Sequence, residues 1–259
     1  MKMNIFYTDR RRRTANRLSG IAAVLAGLCL CAGVHSCRAE KDKVHVLLVT
    51  GGHEYDTEGF EQLMEALPVT YEHVAHPNAY ARLKADAIAA YDAVLLYDMP
   101  ADIPAEAQAD FIAMLEKGKG LVVLHHAFCS YDSWPEYTRI AGGRYHHYEW
   151  SQDGATRPHS RFTHDVTFQV TVADRNHPVT KGVADFRLTD ETYGGTEILP
   201  DVHPLLTTGE PTSNSPIGWT NAYRNARVVT LTPGHDRHTW EHPAFRTLLS
   251  QALLWVAGR

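Results

Sequence analysis

Residues 44–53 read Val-His-Val-Leu-Leu-Val-Thr-Gly-Gly-His, a mostly apolar run that stops on two glycines and a histidine. Such a run is short for a helix and apolar at both parities, which predicts a strand buried on both faces, as in a parallel sheet. Asp92–Tyr97 (DAVLLY) and Leu121–Leu124 (LVVL) repeat the pattern, and the second runs straight into His125-His126. Between the runs, Phe60, Leu63, Met64 and Leu67 recur at i, i+3, i+4 and i+7, the spacing of one helix face. A second helix is predicted from near Pro104 to Gly118 or Gly120. The order is β-α-β-α-β.

The second half differs. Val166, Phe168, Val170 and Val172 alternate with polar neighbours, which predicts a half-exposed strand added antiparallel. Arg227–Thr232 (RVVTLT) returns to a buried strand and leads into Pro233-Gly234-His235. After His242-Pro243, the stripe Phe245, Leu248, Leu249, Ala252, Leu253 and Val256 predicts a final helix. The expectation is one open, mostly parallel α/β sheet over residues 43–259 with helices on both faces, and ligands in such sheets bind at the carboxyl ends of the strands.

The 259 residues are 44% hydrophobic and 21% charged, ordinary globular values that exclude disordered, collagen-like and coiled-coil chains. Residues 1–36 read as an export signal, with Arg10, Arg11, Arg12, Arg13 and Arg17 ahead of the apolar stretch from Leu18 to Val34. The ending Val34-His35-Ser36-Cys37 resembles a bacterial lipobox, which would make Cys37 a lipidated first residue; a plainly cleaved signal or an uncleaved anchor are the alternatives. Either way the expectation is an exported protein of a bacterium, periplasmic or membrane-anchored through lipid. The net charge of −5 includes a leader with six basic residues and one acid, so the remainder carries 19 basic against 29 acidic residues. Such an acidic chain offers nucleic-acid phosphates no footprint. With Cys29, Cys31 and Cys37 all in the first forty residues and only Cys129 in the body, neither a disulfide framework nor a CxxC zinc site can form.

Sixteen histidines are the compositional oddity. Polar residues gather at the predicted strand ends: His53, Glu54 and Asp56; Asp98; His125 and His126; His235, Asp236 and His238. Four polar strand ends on one sheet edge, three of them bearing histidines, imply a pocket. Successive strand residues face opposite sides, so His125 and His126 can both serve it only if the chain turns sharply there; otherwise His126 is a core residue. From Arg139 to His164 the chain carries Tyr145, His146, His147, Tyr148 and Trp150 among arginines, which predicts a long loop over the pocket mouth. Aromatic faces beside Arg and carboxylates suit a sugar ring. Asp190-Glu191 follows Phe186 and Leu188 and reads either as a general base with an orienting partner or as a surface turn.

Taken together, Val49-Thr50-Gly51-Gly52-His53, Leu124-His125-His126-Ala127, Gly142-Gly143 with His146 or His147, Asp190-Glu191-Thr192-Tyr193, Ile217-Gly218-Trp219 and Gly234-His235 resemble the ThuA-like (trehalose utilisation) family of the class I glutamine amidotransferase-like superfamily. The resemblance runs from about Val44 to Ala257 and implies a flavodoxin-like fold. The superfamily's amidotransferases place a cysteine at the elbow where this chain has His125, and a His-x-Glu where it has His235 and Arg237, so thiolate hydrolysis of glutamine is excluded.

The family name implies disaccharide or keto-sugar utilisation. The expectation is a small-molecule enzyme of isomerase, hydratase or lyase type, with His125, His235, Asp190 and Glu191 catalytic and His53, Tyr193, Trp219, His146 and Trp150 binding the sugar. His125, His126, His147 and His235 would hold a divalent transition metal such as zinc, and no nucleotide cofactor is expected. The rival is a non-catalytic carbohydrate-binding or surface accessory protein that retains the pocket. A glycosidase needs two carboxylates across the bond, which neighbours such as Asp190 and Glu191 do not supply.

Overall fold

The computed structural model describes residues 43–259; the leader and Cys37 lie outside the described residues. The first half is built from β1 (Val44–Gly51), α1 (Thr57–Glu65), β2 (Val69–Ala75), α2 (Ala79–Leu83), α3 (Ala85–Ile88), β3 (Ala93–Asp98), α4 (Ala105–Glu116) and β4 (Gly120–Leu124). A single-turn 3-10 helix, His125–Cys129, and α5 (Glu136–Ala141) follow. Then come β5 (Gly143–Arg144), β6 (Trp150–Gln152), β7 (Ala155–Arg157), β8 (Arg161–Val172), β9 (Phe186–Gly194), β10 (Glu197–Ile198), β11 (His203–Thr207), β12 (Gly218–Tyr223) and β13 (Ala226–Leu231). The chain closes with α6 (Arg237–Trp240) and α7 (Pro243–Val256).

Nine strands form one sheet in the order β2-β1-β3-β4-β13-β12-β11-β8-β9. The five from β2 to β13 are parallel and the other four are added antiparallel, as the change in patterning at Val166 predicts. The apolar runs are double-sided because two cores flank the sheet. Val46, Leu48, Leu95, Val122 and Leu124 pack against Phe60, Leu63 and Met64 of α1 and the α7 stripe. Leu47, Val49, Val94, Leu96, Leu121 and Val123 pack against Leu83, Ile88, Phe111, Met114 and Leu115 on the other face. Each large apolar side chain of α7 taken from water stabilises this arrangement by about 2 kcal/mol.

Two expectations are corrected. The segment 139–164 is not one long loop: α5, β5, the β6–β7 hairpin and the start of β8 occupy most of it, because Gly142 (φ 78) ends α5 and Asp153-Gly154 (φ 52 and 76) turns the hairpin. The strand β2, at the sheet edge, escapes the apolar-run reading because Thr70, Glu72 and His73 leave it half exposed.

Candidate functional site

Leu124 is extended (φ −113, ψ 124), and the next residue, His125, sits at φ 53. A non-glycine residue in this region costs about 1–3 kcal/mol and persists where its surroundings over-determine it. Here β4 stops and the 3-10 turn begins, so this is the sharp elbow that brings His125 and His126 to the same end of the sheet. The His125 ring is fixed by its Nδ1, which lies 2.8 Å from the Thr232 carbonyl just past β13. A carbonyl only accepts, so Nδ1 carries the proton and Nε2 presents a lone pair. Burial holds the His125 pKa well below its usual value, and the neighbouring His126 adds to that effect.

Around that lone pair stand three groups from two other elements. Tyr193 Oη of β9 lies 3.2 Å from His125 Nε2, His235 Nδ1 lies 3.3 Å away, and Glu191 Oε2 lies 3.8 Å away. Glu191 Oε2 is also 2.9 Å from His235 Nδ1 and 3.4 Å from His164 Nδ1. The hydrogen bond to Glu191 raises the His235 pKa against the opposing effect of burial. Among the described residues, His125, Glu191 and His235 each direct one donor atom into a region where all three atoms lie within 4.8 Å of one another.

Asp190 has a different task from Glu191. In a strand, successive side chains face opposite sides, and Asp190 shares its side with the core residue Leu188. Its carboxylate accepts the Gly234 N–H at 2.7 Å, the His235 N–H at 3.0 Å and the Glu191 N–H at 2.8 Å. It therefore fixes the backbone that carries His235. Burial pushes its pKa up to about 6 although those three bonds favour the carboxylate. Gly234 (φ 137) is required in this loop, because a Cβ there would stand 3.2 Å from Leu124 Cδ1 and 3.3 Å from His125 Cβ.

The strand-end histidines converge in part. His53 stacks on His126 with ring centroids 4.9 Å apart, and Tyr97 lies 4.1 Å from the His126 ring. Burial, followed by the charge of His53, pulls the His126 pKa down to about 3. His126 is thus neutral and packed behind His125, outside the donor group. His147 is outside it as well: its Nε2 bonds the Cys129 carbonyl at 3.0 Å. Of the four histidines expected to hold a metal, the structure brings His125 and His235 together beside Glu191 and sets His126 and His147 apart from that group.

Trp219, expected to bind sugar, is fully buried against Phe128 and donates Nε1–H to the Ala141 carbonyl at 2.8 Å. It is a core residue. His146 stacks on Trp150 at 4.0 Å and bonds Glu197 at 2.9 Å, forming a separate cluster with the β6–β7 hairpin. Asp98 accepts from His76 and Tyr131, each at 2.7 Å. His238 bonds Asp236 on the surface, and Arg237 pairs with Asp56.

Sequence reasoning missed the centrality of His164. Thr163 pairs with Thr192 and Val166 with Asp190, so His164 and Asp165 together oppose the single residue Glu191. This is a β-bulge, with Asp165 at φ 56. The only trace of it in the sequence is the Asp, a residue that tolerates that conformation.

Cys129 closes the 3-10 turn, and its buried thiol has a pKa pushed up chiefly by desolvation, so no thiolate stands at the elbow.

The sequence model of the trehalose utilisation (ThuA) family matches residues 39–256. The chain belongs to this family. No curated protein matches it. Among solved structures, a ThuA-like protein of Parabacteroides merdae is 21% identical with a TM-score of 0.70, over 83% of this chain and 90% of that one. Another from Bacteroides uniformis is 20% identical with a TM-score of 0.61, over 82% and 91%. PurLQS from Thermotoga maritima, 15% identical, overlaps with a TM-score of 0.55 over 82% of this chain and 99% of that one. The fold of this ThuA family member is thus the class I glutamine amidotransferase-like one.

Proposed function

We propose that this ThuA family member is an exported enzyme acting on a sugar or 3-keto-sugar, with a divalent transition ion held by His125, Glu191 and His235. The observation that carries the reading is the His125 tautomer: Nδ1–H donates to the Thr232 carbonyl, so the Nε2 lone pair faces Glu191 Oε2 and His235 Nδ1. Two neutral imidazoles and a carboxylate are the donor set of zinc and its neighbours. An ion bound there would act as a Lewis acid toward a substrate carbonyl or hydroxyl.

The chain's own groups supply the rest. Protons α to the carbonyl of a keto-sugar are acidic, so isomerisation, hydration or β-elimination needs a base beside an electrophile. His164, half exposed and 3.4 Å from Glu191, is placed to exchange a proton between the site and solvent. Tyr193 Oη is a hydrogen-bond donor at the same point, and its own pKa is raised well above the usual value by burial. Asp190 holds the His235 backbone in place throughout.

The test is metal content and turnover of 3-keto disaccharides, with and without chelator, for the wild type and for His125→Ala and His235→Ala. An enzyme loses turnover in both variants while retaining sugar binding. A non-catalytic carbohydrate-binding protein shows no turnover at all and only a modest loss of affinity.

A further inference from the structure

The β8 bulge does more than bring His164 to Glu191. On β8 the core-facing residues Phe168, Val170 and Val172 have even numbers, as does the half-buried Val166. Without an inserted residue, Phe162 and His164 would continue that inward row. The extra residue between Thr163 and Val166 reverses the parity. Phe162 then pairs with Tyr193, whose hydroxyl touches His125, and His164 faces Glu191. Paired residues on neighbouring strands lie side by side, roughly 5 Å apart at Cβ. The Phe162 ring stands 5.1 Å from the His164 ring.

Phe162 is 56% exposed, one of two large apolar side chains in that state among the described residues. A solitary phenyl flanked by Arg161, Thr163 and His164 is too small for a protein interface, and folding gains nothing from leaving it in water. It is an apolar plane rimmed by polar groups, the size and character of one pyranose face, whose C–H bonds stack on an aromatic ring.

We propose that Phe162 is the platform of a second sugar-ring subsite, so that a two-ring glycoside places one ring at the His125–Glu191–His235 centre and the other on Phe162. This rests on the sugar-site reading above. The subsite makes Phe162 a specificity residue, which discriminates disaccharide from monosaccharide without touching the reacting atoms.

The experiment titrates the full-length wild type, Phe162→Ala and Phe162→Trp with trehalose and with glucose, following binding by calorimetry. For Phe162→Ala, about tenfold weaker trehalose binding is expected, with glucose affinity within about twofold of wild type. Phe162→Trp should restore trehalose affinity, and all three proteins should melt alike because the side chain is exposed. If Phe162→Ala leaves trehalose affinity unchanged, or weakens both sugars equally, the platform is wrong and the sugar-site reading stands. Wild type that binds neither sugar would overturn both.

Discussion

Asp190 and Glu191 hold the same histidine by its two ends. Asp190 accepts the backbone N–H of His235 at 3.0 Å, while Glu191 meets its ring nitrogen at 2.9 Å. Two adjacent residues of one strand can do this because their side chains leave on opposite sides. One side anchors the loop and the other faces His125. This division of labour separates a positioning carboxylate from a reactive one, and it generates distinct predictions for the two.

Glu191→Gln keeps the size of the side chain and one oxygen but removes the charge that the three surrounding imidazoles share. Metal affinity should fall by at least about 100-fold, since losing even an outer-sphere partner costs 10–100-fold. The metal-free variant should melt like the metal-free wild type above the raised His235 pKa and somewhat lower below it, where the His235–Glu191 ion pair is lost; metal titration with chelator competition and melting of the metal-free proteins check the two effects.

Asp190→Asn should act on stability. An amide nitrogen would face a backbone N–H, leaving buried donors unpaired at a cost of about 1–3 kcal/mol. The pH signature has a definite sign. The folded pKa of Asp190, about 6, lies above its ordinary 3.8. Its contribution to stability is therefore present below about pH 4 and is lost as pH rises through about 6. In chelator-treated protein, the wild-type advantage over Asp190→Asn should narrow between those values. An advantage that widens with pH contradicts the assignment.

His235 predicts the pH dependence of metal binding. Its pKa is raised by Glu191, so the proton competes with the metal for Nδ1 below that raised value. Affinity should climb with pH until the raised His235 pKa is passed and then level, and below that pKa each ion bound should release one proton from His235. In the metal-free protein the His235–Glu191 pair stabilises the fold below pH 6.5, and that stabilisation is lost as pH rises through the raised value. Calorimetry in buffers of different ionisation enthalpy measures the proton release.

Trp219→Ala should cost roughly 4 kcal/mol by emptying a fully buried site and removing one of the two side-chain donors to the Ala141 carbonyl, Thr230 keeping the other, while sugar affinity of the folded fraction stays unchanged. Denaturant unfolding alongside sugar titration separates the two effects.

The parallel core was legible in the sequence because β1, β3 and β4 are apolar on both parities and run into Gly51, Asp98 and His125. The pocket was legible for a related reason: polar side chains at strand ends have nowhere to pack. What the sequence hid were changes of parity. Leu188 and Asp190 share a face, which could have told Asp190 from Glu191, but with no paired strand identified beside β9 that parity had no reference. His164 lay on the apparent core face of β8 until the Asp165 bulge turned it outward. Trp219 looked like a pocket aromatic because the motif around it said nothing about depth, and α5 covers it.

The most direct measurement is the metal content of the purified full-length protein, taken together with its turnover of 3-ketotrehalose. One transition ion per chain is expected, lost together with turnover in His125→Ala and Glu191→Gln and restored to the chelated wild type by zinc. A wild type that holds no metal, turns over no keto-sugar and binds ligand no better than its His125→Ala variant would contradict a metal-assisted sugar enzyme.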